Sequence, residues 1–324
     1  MSLEAVHTEV CYQQTIRREL THRAAVGEVF VTSLAAGEPG RFVAGAQLPR
    51  MHAYYGDHLG PLARRHDPLL VMEAARQTAI AITHEFYQVP LDAAFTVRSF
   101  NGAGVAGPVW FVEPEPTQLV LSVTVPRVHY RGGTPCGIDM ILEISGAGQD
   151  VMTVDGSFSW MPPQQWTRVR AAFREELGMA RTIGAPMGPG DTIAAAQVLR
   201  ADPRNVVIGA PVTSAGSVQV ELMPDTTHPF LFDHQLDHLP GSLLLEAARQ
   251  TALSLLVPGT GRTPALSRLT SSFDRFVELD HPAYCRAELA TNNGDRSTVR
   301  CEIRQQQHTA AELELVFDDA GHAR

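Results

Sequence analysis

The chain has 324 residues, of which 44% are hydrophobic and 19% charged, and its formal net charge is −9. This composition is typical of globular proteins with a real core, and the length suits two domains of average size. The negative charge argues against a nucleic-acid partner, which requires a basic surface. No apolar run approaches the roughly 20 residues that span a bilayer, and the N-terminal stretch lacks a secretory pattern. We therefore expect a cytoplasmic protein without a membrane or nucleic-acid partner.

Residue usage narrows the chemistry. All 26 basic residues are arginine, which excludes Schiff-base lysines and phosphate-binding P-loops. The four cysteines are scattered without a C-x-x-C spacing, as expected of reduced thiols. No G-x-S-x-G motif is present, so nucleophilic catalysis is unsupported. We expect neither a metal nor a cofactor.

The first half of the chain predicts one long helix and several strands. The helix runs from Pro68 to about Gln88, because proline suits a first helical turn. "GAGVAG" at 102–107 has the spelling of a dinucleotide-binding motif, but an aromatic strand follows it instead of a helix, so we interpret it as a loop. Extended or strand-like segments lie at 26–34, 41–48, 110–114, 118–125, 137–145 and 151–160.

A connector and a second copy of this layout follow. "RVRAAFREE" at 168–176 predicts a solvated connector helix. A second apolar helix is predicted from about 241 to 256. Strand-like segments lie at 206–213, 217–223, 283–291, 297–306 and 310–317. We therefore divide the chain into an N-terminal domain (1–162), a connector (163–202) and a C-terminal domain (203–324).

Repeated words show that the two halves are one duplicated module. "EAARQTA" at 73–79 recurs identically at 246–252. Weaker matches keep the same order, which is the signature of an internal repeat. They are "VTS" at 31–33 and 212–214, Arg23 and Arg204, "DH" at 57–58 and 233–234, and "SF" at 99–100 and 272–273.

Each half has an α+β plan. One helix that is apolar on nearly every side, followed by alternating strands, predicts an antiparallel sheet wrapped around that helix. Two such halves in one chain form a pseudo-dimer, which protects sheet edges that a single copy would expose.

The repeated helix carries three polar residues on one face. Positions i, i+3 and i+4 of a helix lie within about 100° of each other. The trios are Glu73, Arg76 and Gln77 in the first copy and Glu246, Arg249 and Gln250 in the second. One interpretation is a glutamate–arginine pair partly open to water, worth a few tenths of a kcal/mol. The apolar flanks and the repetition favour a buried functional site instead, because unpaired buried charges cost several kcal/mol.

The loop before the second helix supplies acid–base groups. "FDHQLDHLPG" brings Asp233 and His234 close to the helix N-terminus at Gly241, whose free N–H groups suit an oxyanion. His234 matches His58 in the repeat, whereas a turn or capping role is the simpler interpretation of His238. The spacing "HQLDH" lacks the glutamate of zinc proteases, so a metal site there is disfavoured.

These residues resemble two families. A histidine-containing loop, a Pro-Gly and the helix "LLLEAARQ" are similar to the hotdog fold of 3-hydroxyacyl-carrier-protein dehydratases and acyl thioesterases. The doubled pattern, with "HRAAVGEVFVTS" at 22–33, resembles more closely the A-factor-type γ-butyrolactone (butenolide) synthases of actinomycetes. The resemblance implies two tandem hotdog domains over nearly the whole chain.

The resemblance also implies an activity. Enzymes of that family transfer a β-ketoacyl group from an acyl-carrier-protein thioester to dihydroxyacetone phosphate or a similar three-carbon phosphate, and the ester then leads to a butenolide phosphate precursor of a signalling molecule. The catalytic residues implied are Glu73, Glu246 and Arg249, with His234 as an acid–base partner. By analogy with hotdog dimers, His234 would face Glu73 and His58 would face Glu246.

Physical roles accompany these assignments. We expect a buried glutamate with a raised pKa to act as the base, and Arg249 or Arg76 to bind phosphate. The other residues expected to bind substrate are Gln77, Gln250, Gly241, His58 and Asp233. Asp67 precedes the first helix where the second copy has Pro240, so a carboxylate would repel an oxyanion there. One competent half is therefore expected.

Three functions remain open at this stage. The acyltransferase is the first, a dehydratase or thioesterase of the hotdog class is the second, and a non-catalytic module that binds acyl ligands is the third. Whether the chain also forms a homodimer is left open.

Overall fold

A computed structural model describes residues 10–188, 190–258 and 261–320. The chain forms two compact units. The first contains residues up to Gly56 and Arg64–Pro163, and the second contains Asp57–Ala63 and the chain from Gln164 onward. The short segment Asp57–Ala63 therefore comes from the first sequence repeat but packs in the second unit. Among the described residues, no helix is long and apolar enough to cross a membrane.

The first unit is a six-stranded antiparallel sheet around helix α1 (Pro68–Phe86). The strand order is β1-β2-β4-β5-β6-β3, and α1 packs against β1, β2, β3 and β6. Most of the α1 side chains from Leu69 to His84 are buried, which explains why its sequence is apolar on nearly every side. The strands are β1 (Val31–Ala36), β2 (Arg41–Leu48), β3 (Ala94–Gly104), β4 (Thr117–Arg131), β5 (Thr134–Gly146) and β6 (Gln149–Met161).

The second unit repeats this topology and adds helix α2 (Pro163–Glu176), most of which belongs to it. Helix α3 (Gly241–Leu256) packs against β8 to β12, and the strand order β7-β8-β10-β11-β12-β9 corresponds strand for strand to the first unit. The predicted α+β plan of two tandem hotdog domains is confirmed. The strands are β7 (Val212–Ser214), β8 (Ser217–Glu221), β9 (Pro264–Phe273), β10 (Ala283–Asn292), β11 (Arg296–Gln305) and β12 (His308–Asp319).

The sequence did not identify β3 and β9. The prediction of a loop at 102–107 was wrong in part, because residues 102–104 end β3. A Cβ at Gly102 would lie 2.7 Å from Sδ of Met72 in α1, so this glycine allows β3 to approach the helix closely. The strand predicted at 110–114 was also wrong. A short 3₁₀ turn ends at Trp110, and the prolines that follow cannot donate to a sheet.

Strand pairing corrects the register of the repeat. Ala35 pairs with Val43 in the first unit, and Val212 pairs with Gln219 in the second. Val212 follows Ala35 by 177 residues, and Gln219 follows Val43 by 176. The two "VTS" words, 181 residues apart, therefore occupy different places in their sheets. Their match as equivalent positions was wrong, although the duplication itself stands.

Candidate active site

Glu73 lies buried on α1 with two arginines. Its Oε1 accepts hydrogen bonds from Arg23 Nη2 at 2.7 Å, Arg76 Nη2 at 2.7 Å and Gln77 Nε2 at 2.8 Å, and Arg76 Nε donates to Oε2 at 2.8 Å. The side-chain oxygen of Gln77, Oε1, accepts a hydrogen bond from Phe30 N at 2.8 Å, which fixes the chain ahead of β1 to the helix. The predicted trio therefore exists, and Arg23 completes it.

The second unit contains the same cluster. Glu246 Oε1 accepts from Arg200 Nη2 at 2.8 Å and Gln250 Nε2 at 2.6 Å, and its Oε2 accepts from Arg249 Nη2. The side-chain oxygen of Gln250 accepts a hydrogen bond from Val207 N at 2.9 Å, as that of Gln77 does from Phe30 N. Each unit thus holds a buried glutamate between two arginines and a glutamine.

The second arginine corrects a predicted match. Arg200 is the counterpart of Arg23, because each follows a residue in the left-handed region, Leu199 (φ 56°) or His22 (φ 53°). Arg204 lies on the surface, where it pairs with Asp202 at 2.6 Å. The match of Arg23 with Arg204 was therefore wrong by four residues. The sequence signal for Arg200 was weak because the residues around it are not repeated.

The charge state of Glu73 differs from the expectation. Burial by itself raises the pKa of its carboxyl, but the charges of Arg23 and Arg76 and the hydrogen bonds from Arg76 and Gln77 outweigh burial and lower the pKa to about 2. The predicted raised pKa was wrong for Glu73, because the prediction counted desolvation without the second arginine. At neutral pH Glu73 is an ionised anchor for the arginines.

The helix arginines differ in exposure. The Arg249 side chain is 5% exposed, whereas that of Arg76 is 31% exposed. Arg76 uses Nε and Nη2 to bind Glu73, and Nη2 also lies 3.4 Å from the carbonyl oxygen of Thr21. Its Nη1 has no hydrogen-bond partner among the described residues. Arg76 can therefore bind an anion without giving up Glu73.

The loop before α3 holds two aspartate–histidine dyads. His234 Nδ1 lies 2.5 Å from Oδ1 of the buried Asp233, and the His234 side chain is 43% exposed. His238 Nδ1 lies 2.5 Å from Oδ1 of Asp237. An aspartate on Nδ1 fixes that nitrogen as a donor and leaves Nε2 for proton transfer. Of the turn or capping role expected for His238, capping is wrong, because the N-cap of α3 has no side-chain hydrogen bond, and the ring of His238 packs against Trp166 and Phe276 in the loop before the helix.

The helix N-termini differ as expected. Asp67 Oδ1 accepts from Leu69 N at 2.9 Å and so caps α1 with a carboxylate. The N-cap of α3 is Pro240, and no side-chain hydrogen bond closes the first turn at Gly241. The first turn of α3 can therefore accept an oxyanion, whereas that of α1 is occupied by a negative charge.

Asp57 and His58 belong to the second unit. Asp57 accepts from Asp202 N at 3.0 Å and Asn205 Nδ2 at 2.8 Å, and its carbonyl accepts from Arg200 Nη1 at 3.3 Å. His58 is thus next to a residue that binds a member of the Glu246 cluster. The predicted pairs of His58 with Glu246 and His234 with Glu73 stay predictions.

A further repeated pair went unnoticed in the sequence. His52 Nδ1 accepts from Tyr55 N at 3.1 Å, and His228 Nδ1 accepts from Leu231 N at 3.0 Å, 176 residues later. Extending the "DH" match backward to "HAYYGDH" and "HPFLFDH" would have found them. These histidines fasten the loops of their units. Within the described residues, no three His, Cys, Asp or Glu side chains could together hold a metal ion.

Solved structures share the fold. An oleoyl thioesterase (putative) from Lactobacillus plantarum is 11% identical with a TM-score of 0.52, covering 86% of this chain and 96% of that one. A dehydratase domain of a trans-AT polyketide synthase from Brevibacillus brevis is 9% identical with a TM-score of 0.52, covering 89% and 97%. At these identities the likeness shows the tandem hotdog architecture alone.

Sequence relatives cover nearly the whole chain. A protein of Streptomyces virginiae named 2-oxo-3-(phosphooxy)propyl 3-oxoalkanoate synthase is 33% identical over 291 residues, which are 87% of this chain and 90% of the relative. Proteins of the same name from Streptomyces coelicolor and Streptomyces griseus are 30% and 29% identical, over 83% and 89% of this chain and 81% and 90% of theirs. The profile of the A-factor biosynthesis hotdog domain matches residues 9–160 and 186–317. The chain belongs to the A-factor biosynthesis hotdog domain family.

Proposed function

We propose that this protein is an acyltransferase that makes a 2-oxo-3-(phosphooxy)propyl 3-oxoalkanoate. It transfers a 3-oxoacyl group from a thioester, carried by acyl carrier protein, to the hydroxyl of dihydroxyacetone phosphate or a similar three-carbon phosphate in the cytoplasm. The product leads to a butenolide phosphate, the precursor of a γ-butyrolactone-type signal. Relatives with this activity in their names match both halves of the chain.

The dyad of Asp233 and His234 carries the proposal. Asp233 holds His234 Nδ1 at 2.5 Å, and the exposed ring leaves Nε2 to take the proton of the acceptor hydroxyl. The alkoxide oxygen then bonds to the thioester carbonyl carbon. When the tetrahedral intermediate collapses, the C–S bond breaks and the sulfur leaves as a thiolate that takes up a proton, so that atoms and charge balance.

The N-terminus of α3 stabilises the intermediate. The uncapped first turn after Pro240 presents N–H groups and the positive end of the helix dipole to the oxyanion. The carboxylate of Asp67 would oppose this at α1. The competent acyl-transfer site is therefore at α3.

The arginines bind the acceptor, and the glutamates hold the arginines. Of the two helix arginines, Arg76 is the better phosphate ligand, because it has an unused Nη1 and a side chain that is 31% exposed. Glu73, which is ionised, and Glu246 act as anchors that orient Arg76 and Arg249, with Gln77 and Gln250 as further donors. His58 and Gly241 of the second unit are further substrate-binding residues in our proposal.

The test incubates the purified chain with a 3-oxoacyl thioester of acyl carrier protein and dihydroxyacetone phosphate. We expect a phosphorylated ester or butenolide by mass spectrometry. Release of free acid alone would identify a thioesterase, loss of water from a 3-hydroxyacyl thioester a dehydratase, and an unchanged thioester a binding module. Any of these three results contradicts the proposal.

Matched variants separate the roles. Arg76→Ala should raise the KM for dihydroxyacetone phosphate at least tenfold with a small change in kcat, since a charge-assisted contact to phosphate contributes about 1.5–3 kcal/mol. His234→Gln should lower kcat by about 10²–10⁴-fold with little change in that KM. The surface substitution Arg204→Ala is the control, because Arg204 is exposed and pairs with nearby Asp202, so that its loss should change neither constant.

A further inference from the structure

Helix α2 is attached to its unit by buried charges, so the predicted solvated helix was wrong for the face that carries Arg170 and Arg174. Arg174 donates to Glu278 Oε2 at 2.5 Å and to Asp280 Oδ2 at 2.7 Å, and Arg170 donates to Glu278 Oε1 at 2.6 Å. Arg170 and Arg174 are 4% and 1% exposed. Buried charges cost several kcal/mol unless they are paired, so these contacts fix where α2 lies.

Two side chains of α2 converge on the aspartate of the second dyad. Trp166 Nε1 donates to Asp237 Oδ2 at 3.0 Å, and Arg170 Nε donates to the same oxygen at 3.1 Å. Arg170 Nη2 also donates to the Asp237 carbonyl at 3.0 Å. Burial by itself raises the pKa of Asp237, but its hydrogen bond to His238 and the nearby charges of His238 and Arg170 lower the pKa to about 2. Asp237 is therefore ionised at neutral pH.

His238 is held from several sides. Its Nδ1 lies 2.5 Å from Asp237 Oδ1, and its ring centroid lies 5.7 Å from that of Trp166 and 5.1 Å from that of Phe276. Leu239 N donates to the Val277 carbonyl at 2.8 Å and fixes the chain just beyond the ring. The charged groups around His238 are Asp237 on its own loop, Arg170 on α2 and, behind Arg170, Glu278.

The Asp237–His238 dyad has a helix behind it, because Trp166 and Arg170 of α2 both donate to Asp237. In the described part of the first unit, the helices other than α1 are short 3₁₀ turns, and none takes the place of α2. Catalytic groups need a second layer of contacts that fixes their orientation. The second unit therefore has both an uncapped helix N-terminus, at α3, and a second layer of contacts, from α2.

We infer that the Asp237–His238 dyad is a second proton-transfer group of the acyl-transfer site and that Trp166 and Arg170 are its positioning residues. This inference rests on the proposed function. His234 removes the proton from the acceptor hydroxyl, and the His238 imidazolium gives its Nε2 proton to the sulfur as the C–S bond breaks. Exchange with solvent then restores both rings, so that no net proton is gained or lost.

The first test is the pH profile of kcat. A neutral His234 and a protonated His238 give a bell-shaped profile, with His238 responsible for the alkaline limb. His238→Gln should lower kcat and remove that limb. Trp166→Phe keeps the aromatic packing but removes the Nε1–H. It should lower kcat about tenfold and displace the alkaline limb while the acidic limb and the KM stay in place.

Arg174 provides the matched control. In Arg170→Lys, the lysine cannot donate to Asp237 and Glu278 at the same time, so this variant should behave like Trp166→Phe. Arg174→Lys disturbs the same charge cluster without touching Asp237, and should lower the thermal midpoint but leave both limbs unchanged. Equal pH profiles for all three variants, or an alkaline limb that persists in His238→Gln, would overturn the inference.

An NMR titration separates this inference from the proposed function. The ring C–H signals of His238 report its protonation in the intact chain, with or without turnover. Loss of the Trp166 donor makes Asp237 a stronger partner, so the His238 titration midpoint should rise in Trp166→Phe. If the unsubstituted chain makes no ester, the proposed function fails. If the midpoint does not move, the positioning role fails.

Discussion

At the scale of single residues, the second arginine decides what each buried glutamate is. Glu73 and Glu246 were expected from the sequence, because an identical helix face occurs twice. Arg23 and Arg200 come from segments ahead of the sheets, and no helical spacing could reveal them. Their guanidinium groups lie within 3.2 Å of the carboxylates. Helical spacing alone suggests that Glu73 is a base, but its two arginines make it an ionised anchor.

Glu73→Gln tests the anchor at this scale. Removing one charge leaves Arg23 and Arg76 facing a neutral amide in a buried place, and breaking such a cluster costs about 3–5 kcal/mol. We expect a lower urea midpoint of unfolding, measured by circular dichroism. Glu85→Gln, on the exposed side near the end of α1, is the control and should leave the midpoint within error. A stable Glu73→Gln protein would contradict the anchor role.

At the scale of elements, the sequence predicted helices better than strands. The bounds of α3 match the prediction because apolar residues and a Pro-Gly stop mark them. The strands β3 and β9 were missed because their serines, arginines and glycine hide the alternation of a half-buried strand. The burial of Arg170 and Arg174 on α2 was missed because their charges are paired with Glu278 and Asp280 about a hundred residues later in the chain.

The two helix N-termini give a reciprocal prediction. Pro240→Asp should supply α3 with the cap that α1 has, because the Pro240 backbone (φ −67°, ψ 148°) accepts an aspartate. A side-chain cap stabilises a helix by about 1 kcal/mol. The thermal midpoint should therefore rise while kcat falls, because the carboxylate would occupy the oxyanion position.

Asp67→Ala provides the opposite case. It removes the existing cap of α1 and should lower the thermal midpoint, with kcat preserved in the folded protein. Unchanged turnover in Pro240→Asp would show that the reaction does not use the first turn of α3.

At the scale of the whole molecule, the sequence showed the duplication but not that a short segment of the first repeat packs in the second unit. The sequence divides at the connector, yet Asp57–Ala63 packs in the second unit. There Asp57 accepts hydrogen bonds from Asp202 N and Asn205 Nδ2. Repeated words locate the copies along the chain, but they cannot tell which copy a short loop joins.

A fragment experiment tests the packing of this segment. Residues 164–324 expressed alone lack Asp57, and we expect them to be sensitive to protease and to show a broad thermal transition. In the full chain, Asp57→Ala should lower the stability of the second unit, because Asp202 N and Asn205 would lose their half-buried acceptor. Asp92→Ala, in an exposed turn of the first unit, is the matched control. A stable, sharply melting fragment would show that Asp57–Ala63 is dispensable.

Each cluster needs a glutamine because its side-chain amide both accepts and donates hydrogen bonds. The Gln77 oxygen accepts from Phe30 N, while its nitrogen donates to Glu28 O and to Glu73. Gln250 makes the same three bonds with Val207, Asn205 and Glu246. A glutamate of nearly identical shape would offer oxygen where a donor is needed and add a like charge beside the first. Deamidation of either side chain, a change of one atom type, would therefore turn the hydrogen-bonded corner of the site into a point of repulsion.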